Sequence, residues 1–232
     1  MRKAEVAFAD RAWETAYHAF VNADRANALG ALHLEAMATS AYLAGREDAF
    51  LKTLERAHHL YLERDDRPSA ARCAFWIGLT RMLVGDQGPA AGWLGRAARV
   101  IEGCDCVEQG YLLLPLVEQQ IGEGSLDAAC ETSRKAGSIG DDFEDRDLVA
   151  CARHLHGRAL VLKGQFAEGV ALLDEAMVAA ASGELSPIVT GLVYCSVIEA
   201  CQRAFALARA REWTKELSAW CDQQPEMFAF TV

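Results

Sequence analysis

The sequence contains few residues whose type and spacing could bind a metal. Cys104 and Cys106 are the only close cysteine pair, and one intervening residue is not the two-to-four-residue spacing of a zinc knuckle. No second Cys/His pair lies at knuckle distance. The eight cysteines are spread through apolar segments with no secretion signal before them, so we expect reduced core thiols and no disulfides.

Two histidine pairs also fail as metal sites. His154 and His156 are two residues apart, so on a helix their side chains project about 200° apart. His58 and His59 are adjacent and have the same problem. We therefore predict no metal site and no cofactor.

An acidic run between residues 141 and 147 has two interpretations, calcium binding or helix capping. It lacks the alternating acids, central glycine and terminal glutamate of a calcium loop. Acids just before a helix instead accept hydrogen bonds from its free amides and interact favourably with its dipole. We favour capping for this set, which comprises Asp141, Asp142, Glu144, Asp145 and Asp147.

No catalytic motif is visible. The sequence has no nucleophile-elbow serine, no His-Glu-x-x-His and no phosphate-binding Gly-x-x-x-x-Gly-Lys-Ser/Thr loop. An enzyme would need a deep pocket with converging ionisable groups, and no set of residues demands one. We predict that the chain is not an enzyme.

Composition and charge disfavour further classes of function. The 232 residues are 52% hydrophobic and carry a formal net charge of -10, which disfavours direct binding to nucleic acid. Glu5 and Asp10 interrupt any signal-peptide core, and the apolar stretches are far shorter than the roughly 20 residues of a membrane-spanning helix. We expect a soluble, cytoplasmic protein with no membrane partner.

The elements that position these residues follow from an internal repeat. Gly45, Gly85, Gly124 and Gly164 are spaced by 40, 39 and 40 residues, and an alanine stands twelve residues after each of them. Repeats of this length are typical of helical hairpins that bury their apolar faces only against neighbouring hairpins. Each glycine is expected to end the first helix of its hairpin in the left-handed conformation.

The apolar spacing is helical throughout, with no sustained period of two. Gly78 and Gly157 are expected to allow the two helices of a hairpin to approach closely, and Pro115 predicts an irregularity inside a helix. The predicted helices are 4–23, 27–44, 46–63, 68–84, 88–102, 107–122, 125–138, 145–163, 165–182, 187–204 and 207–223. The predicted fold class is all-α, a TPR-like α-α superhelix, that is, a right-handed solenoid of about five hairpins.

We expect residues 1–232 to form one TPR-like helical-repeat domain. The segment Pro225–Val232 is apolar and stops abruptly, which suggests a fragment of a longer protein. At this C-terminal end, Trp220, Met227, Phe228 and Phe230 offer apolar surface for self-association, so a homo-oligomer through this end is a further expectation.

Counting back from the cap glycines predicts which first-helix residues line a concave groove. The mixture of aromatic and charged residues suits a protein or peptide partner, or a small ligand. The alternative is that Phe75, Leu79 and Leu114 pack between neighbouring hairpins. The register of the last hairpin is ambiguous, and it contributes no residues. The candidates are Glu35, Thr39, Tyr42, Arg72, Phe75, Leu79, Tyr111, Leu114, Glu118, His154 and Arg158.

Longer strings resemble one family. The segments 71–80 (ARCAFWIGLT), 92–98 (GWLGRAA), 109–115 (QGYLLLP), 169–178 and 183–201 are similar to the helical-repeat region of bacterial LuxR-type transcriptional regulators. Arg211–Thr214 and Trp220–Pro225 continue the similarity, which covers nearly the whole chain.

The resemblance implies the sensory or self-associating region of such a regulator, in which a C-terminal helix-turn-helix usually binds DNA. No basic recognition helix is found in the last third of this sequence. The alternative hypothesis is a freestanding TPR adaptor or oligomerisation module unrelated to transcription. The sequence does not identify the ligand or the target genes.

Overall fold

The computed structural model describes residues 1–224 and 226–230, and helices account for most of this range. No strand occurs among the described residues, as the apolar spacing predicts. The helices are α1 Arg2–Ala9, α2 Trp13–Ala26, α3 Ala31–Leu43, α4 Glu47–Glu63, α5 Arg67–Leu83, α6 Gln87–Val100, α7 Glu108–Tyr111, α8 Leu113–Gly122, α9 Leu126–Asp142, α10 Arg146–Leu162, α11 Phe166–Ala181, α12 Pro187–Arg203 and α13 Leu207–Asp222.

The helices form two compact units. Unit 1 contains Met1–Cys104 and the described part of Trp220–Val232, and unit 2 contains Asp105–Ala219. In unit 1, each helix from α1 to α6 packs against the next. In unit 2, the first helices of successive hairpins also contact one another, α8 with α10 and α10 with α12.

Each predicted cap glycine closes a hairpin as expected. Gly45, Gly85, Gly124 and Gly164 have φ values of 71, 88, 76 and 83°. At the first of these turns the amide of Arg46 donates to Ala41 O at 2.8 Å. The same bond from the residue after the glycine recurs at the other three turns. This is the Schellman arrangement, which satisfies carbonyls at the helix end and turns the chain back.

The fifth hairpin has the same turn without a glycine. Phe205 adopts φ 55°, and the amide of Ala206 donates to Cys201 O at 2.9 Å. The α12–α13 turn is therefore equivalent to the other four, which settles the register that the sequence left ambiguous. By this register Glu199 takes the position of Arg158, six residues before the cap.

Small residues let the two helices of a hairpin approach closely. A Cβ atom on Gly157 would lie 2.8 Å from the carbonyl oxygen of Gly169 on α11, and one on Gly78 would lie 2.7 Å from Leu94 Cγ on α6. The repeated alanines on the second helices, Ala57, Ala97, Ala136 and Ala176, are each 0% exposed. The prediction of tight crossings is confirmed.

The single helix expected at residues 4–23 is wrong. The chain breaks between α1 and α2, where Arg11 adopts φ 58°. This break lets the ring of Phe8 pack edge-on against Trp13 and Phe20, at centroid distances of 5.6 and 6.3 Å. Two helices joined by a tight turn, with these three rings packed together, therefore take the place of the predicted continuous helix.

The irregularity predicted at Pro115 is confirmed. The helix is interrupted at Leu112, between α7 and α8. Proline has no amide hydrogen, and its ring collides with the carbonyl four residues earlier, here that of Tyr111. The disturbance therefore lies one turn before the proline.

The acidic run caps helices and links them. Asp145 Oδ1 accepts a hydrogen bond from the amide of Leu148 at 2.8 Å, as an N-cap residue of α10 does. Asp147 Oδ1 accepts one from the amide of Ser186, just before α12, also at 2.8 Å. The capping interpretation is confirmed for Asp145, whereas Asp147 links α10 to the residue that precedes α12.

The C-terminal segment packs against α2 and α3 of unit 1. The amides of Phe228 and Ala229 donate to Leu43 O at 2.8 and 3.2 Å. Glu226 accepts hydrogen bonds from the amide and hydroxyl of Thr15, both at 2.9 Å, and so caps α2, whose own N-cap residue Ala12 cannot.

This docking changes the expected apolar surface at the C-terminal end. Met227 and Phe230 are buried, whereas Phe228 is 57% exposed. Two of the residues assigned to self-association are therefore covered by the chain itself. Pro225, Thr231 and Val232, which also belong to that expected apolar segment, lie outside the described residues.

Replacing Phe205 with glycine is expected to stabilise the protein by about 1 kcal/mol, because glycine adopts the left-handed conformation without steric cost. Little packing is lost, since Phe205 is 87% exposed. Chemical denaturation measures the effect, with Phe205→Ala as the control that retains the strained φ. Equal stabilities of the glycine and alanine variants would contradict this account of the turn.

Gly157→Ala is expected to destabilise the protein by about 1–3 kcal/mol, because the added methyl group would press on the backbone of α11. The matched control is Gly92→Ala in α6, where a Cβ meets nothing within 4 Å and helix propensity favours alanine by about 1 kcal/mol. The close crossing is supported if thermal denaturation shows that Gly157→Ala lowers the stability and Gly92→Ala raises it. An unchanged stability of the Gly157→Ala variant contradicts it.

Candidate binding face

The predicted groove residues all lie on first helices, at recurring positions counted from the cap residue. Six residues before the cap stand Thr39, Leu79, Glu118, Arg158 and, by the register found here, Glu199. None of these five is buried. We call this set of residues the cap-minus-six row.

The row ten residues before the cap is mostly inaccessible. Phe75, Leu114 and His154 are buried, and Tyr111 three residues before Leu114 is buried as well. Glu35 is half-buried and is the exception among the predicted residues of this row. Packing of the helices therefore accounts for Phe75 and Leu114, in line with the alternative reading of the sequence, whereas Leu79 is half-buried.

In unit 2, Glu118 and Arg158 of the cap-minus-six row form a polar ladder across three helices together with Ser196, which lies nine residues before the cap of its own hairpin. Arg158 Nη1 on α10 donates to Glu118 Oε1 on α8 at 2.6 Å and to Ser196 Oγ on α12 at 3.4 Å. The side chains of Arg158 and Glu118 are 16 and 32% exposed. A half-buried ion pair with remaining donors and acceptors can bind polar groups of a partner at this surface.

Tyr111 has an internal partner. Its hydroxyl donates to Asp145 Oδ1 at 2.9 Å, the same oxygen that caps α10. Burial and the charge of Asp145 raise the pKa of Tyr111 well above its ordinary value. The structure thus places this predicted aromatic anchor inside the packing between helices.

His154 is also directed into the interior. Its Nδ1 lies 3.2 Å from Ala150 O. Burial, with a smaller contribution from the positive charge of Arg158, lowers the pKa of His154 to about 3. The imidazole is therefore neutral at neutral pH and acts as a packing residue.

In unit 1 the predicted residues divide between a cleft and the docked tail. Tyr42 packs against Phe50 and against Phe230, at centroid distances of 5.0 and 6.0 Å, and so contacts the C-terminal segment. Arg72 is half-buried, and its positive charge acts to lower the pKa of the Glu35 carboxyl group. Glu35 and Thr39 line the cleft.

The cleft has a volume of about 410 Å³ and is built by α1, α2 and α3. Its walls are mainly apolar, and the carboxylates of Glu5 and Glu35 are its acidic groups. His33 Nε2 lies 3.3 Å from Glu5 Oε1. The lining residues are Glu5, Phe8, Phe20, Leu32, His33, Glu35, Ala36 and Thr39.

Glu35 is held by two neighbours. Tyr61 Oη donates to Glu35 Oε2 at 2.7 Å, and the Cys73 thiol lies 3.7 Å from Oε1. Burial raises the pKa of the Glu35 carboxyl, although both hydrogen bonds act in the opposite direction. Burial also raises the pKa of Tyr61 and of Cys73, so both remain protonated donors.

Sequence reasoning missed the α1 side of the cleft and Ser196. Phe8 could not be placed while residues 4–23 were taken as one helix. Ser196 was not assigned because Phe205 hides the fifth cap. A left-handed residue other than glycine gives no local sequence signal. Leu217 stands twelve residues after Phe205, where the other repeats have a buried alanine, and this apolar position could have indicated the register of the fifth hairpin.

The described residues contain no group of three or more His, Cys, Asp or Glu side chains that could hold a metal ion. Five of the eight cysteines are buried, whereas Cys195 is exposed. In the described part of the chain, no helix is both long enough and apolar enough to span a membrane.

Comparison with known proteins bears on the fold. No protein-family model matches the sequence, and no curated protein matches it significantly. A solved structure of a Rap protein complexed with Competence and Sporulation Factor is similar, with a TM-score of 0.61 and 13% sequence identity. The similarity covers 96% of this chain and 67% of the Rap chain.

The fold class is a TPR-like helical repeat. This confirms the all-α repeat fold predicted from the glycine spacing. At this level of identity the similarity concerns the fold, and the Rap protein's complex is a property of that protein.

Lowering the pH from 7 to 4 is expected to reduce the free energy of unfolding, with up to about 3 kcal/mol of the loss due to His154. The unfolded chain binds a proton below the ordinary pKa of 6.5, whereas folded His154 does so only near pH 3. His58, whose pKa burial also lowers, acts in the same direction.

Denaturation of the wild type and His154→Leu across this pH range measures the contribution. Leucine is the residue at the equivalent position of the preceding repeat, Leu114. The His154→Leu variant should lose part of the pH dependence, and His59→Gln, at an exposed position on α4, serves as a control. An unchanged slope in His154→Leu would show that His154 does not titrate as its burial requires.

Proposed function

We propose that this chain is a non-catalytic helical-repeat scaffold that binds a protein or peptide partner, or a small ligand, on the first-helix face. The observation that carries this proposal is the cap-minus-six row, which stays accessible while the neighbouring row is largely buried. Recurring accessible positions on successive first helices of one unit, as on α8, α10 and α12 of unit 2, provide a surface on which an extended partner can bind more than one repeat.

The polar ladder supplies specificity on this face. Glu118, Arg158 and Ser196 present an acceptor, a donor and a hydroxyl on three neighbouring helices of unit 2. A partner backbone or polar side chain could bridge these groups with several hydrogen bonds. The similar Rap structure, determined as a complex with Competence and Sporulation Factor, lends support as an example of this fold holding another molecule.

The finer proposal is that the chain is the sensory or self-association region of a LuxR-type transcriptional regulator in the cytoplasm. Its support is the family resemblance of the segments at 71–80, 92–98, 109–115, 169–178 and 183–201. The reading frame around this sequence tests it. A helix-turn-helix encoded in the same frame supports the regulator, and a frame without one favours a freestanding adaptor.

Self-association is the other part of the finer proposal. It concerns Phe228, because Met227 and Phe230 are already buried. Sedimentation at several concentrations measures it, and Phe228→Ser is expected to abolish any concentration-dependent rise in mass. A wild type that stays monomeric at all concentrations removes this part of the proposal.

Partner binding is tested by selecting ligands for the whole chain from a random peptide library and measuring their affinity calorimetrically. Arg158→Ala is expected to weaken a selected ligand by about tenfold or more, because it removes a charged donor and leaves Glu118 unpaired. Lys135→Glu, at an exposed position on the second helix α9, is the matched control and should leave affinity unchanged.

Arg158→Lys separates loss of the charge from loss of the fold, since it preserves the positive charge but not the geometry of the guanidinium group. Partial recovery of affinity in this variant supports a direct role. Equal affinities of the wild type, Arg158→Ala and Lys135→Glu, or failure to select any ligand, would count against the first-helix face as the binding surface.

A further inference from the structure

The cleft of unit 1 has the composition of a ligand pocket. Its volume of about 410 Å³ lies in the range of small-molecule and side-chain sites. Phe8, Phe20 and Leu32 provide an apolar wall, and Leu32 is 72% exposed although it is a large aliphatic residue. Covering this wall with an apolar group would remove unfavourable contact with water.

Glu35 is one of the two acidic residues that line the cleft. A carboxylate offers about four lone-pair positions. The hydrogen bonds from Tyr61 and Cys73 occupy one position on each oxygen of Glu35. Acceptor capacity therefore remains on Glu35, and the burial of its carboxyl group leaves it less hydrated than an exposed carboxylate.

The charge of the lining favours a cation. Glu5 and Glu35 line the cleft, and none of its lining residues is lysine or arginine. His33 Nε2 lies 3.3 Å from Glu5 Oε1. The positive charge of Arg72 on α5 acts to lower the pKa of Glu35. The chain as a whole carries a formal charge of -10, which adds a long-range attraction for cations.

We propose that this cleft binds an apolar group that carries a protonated primary amine, as an apolar N-terminal residue of a peptide partner does. The ammonium donates to Glu35, and the apolar part packs on Phe8 and Leu32, since Phe20 is only 1% exposed. This assignment rests on the proposed function, because it names the chemistry of the group that anchors a partner to unit 1.

Three small probes of similar size and different charge test the chemistry directly: 2-phenylethylammonium, 2-phenylethanol and 3-phenylpropionate. Binding to the whole chain is followed by NMR shifts of the amides of α1 and α3. The ammonium is expected to bind at least tenfold more tightly than the alcohol, and the carboxylate more weakly than both. Equal affinities, or shifts confined to other helices, would overturn the proposal.

Two variants locate the site. Glu35→Gln is expected to remove the advantage of the ammonium over the alcohol while leaving the affinity for the alcohol within about twofold. Ala36→Leu fills the cleft and should weaken both probes, so it keeps the test valid if Glu35→Gln folds poorly. Glu47→Gln, at an exposed position in α4 of the same unit, is the matched control with unchanged binding.

An advantage of the ammonium that persists in Glu35→Gln would overturn the assignment of Glu35. The result is independent of the peptide selection, because the probes need no partner protein. Peptides that depend on Arg158, together with probes that do not bind, would support the scaffold function and reject this cleft as its anchor site.

Discussion

Every hairpin depends on one left-handed residue at the end of its first helix. That residue allows the next amide to reach back to a carbonyl five residues earlier, as from Arg46 to Ala41 O, and this bond fixes where the second helix starts. All other repeat positions are counted from it. The small residues at the crossing, such as Gly157, and the buried alanines of the second helices occupy their places because the turn sets the register.

This constraint explains which parts of the fold could be predicted. Glycine is the residue that adopts positive φ most readily, so the four glycine caps are visible in the sequence at a constant spacing. Phe205 and Arg11 adopt the same conformation without a sequence signal, so the fifth turn and the α1–α2 break were not predicted. In both places tertiary packing outweighs local preference, and for Arg11 the packing is the cluster of Phe8, Trp13 and Phe20.

The binding face was predicted in part for a related reason. Counting from a cap assigns a residue to a side of a helix, but it does not show how deeply neighbouring helices bury that residue. Tyr111 and Phe75 share the side of Glu118, yet neighbouring helices cover them. Depth depends on contacts between distant segments, such as Tyr111 with Asp145, and on partners such as the Ser196 hydroxyl that complete the ladder.

The docked C-terminal segment has a consequence for how the chain folds. Glu226 caps α2 through Thr15, which lies 211 residues earlier. A contact of such high contact order forms late, since the entropy of closing a long loop must be overcome first. The N-terminal end of α2 is therefore expected to stay uncapped until the C-terminal segment has docked, so the completion of one helix depends on the arrival of a segment more than two hundred residues away along the chain.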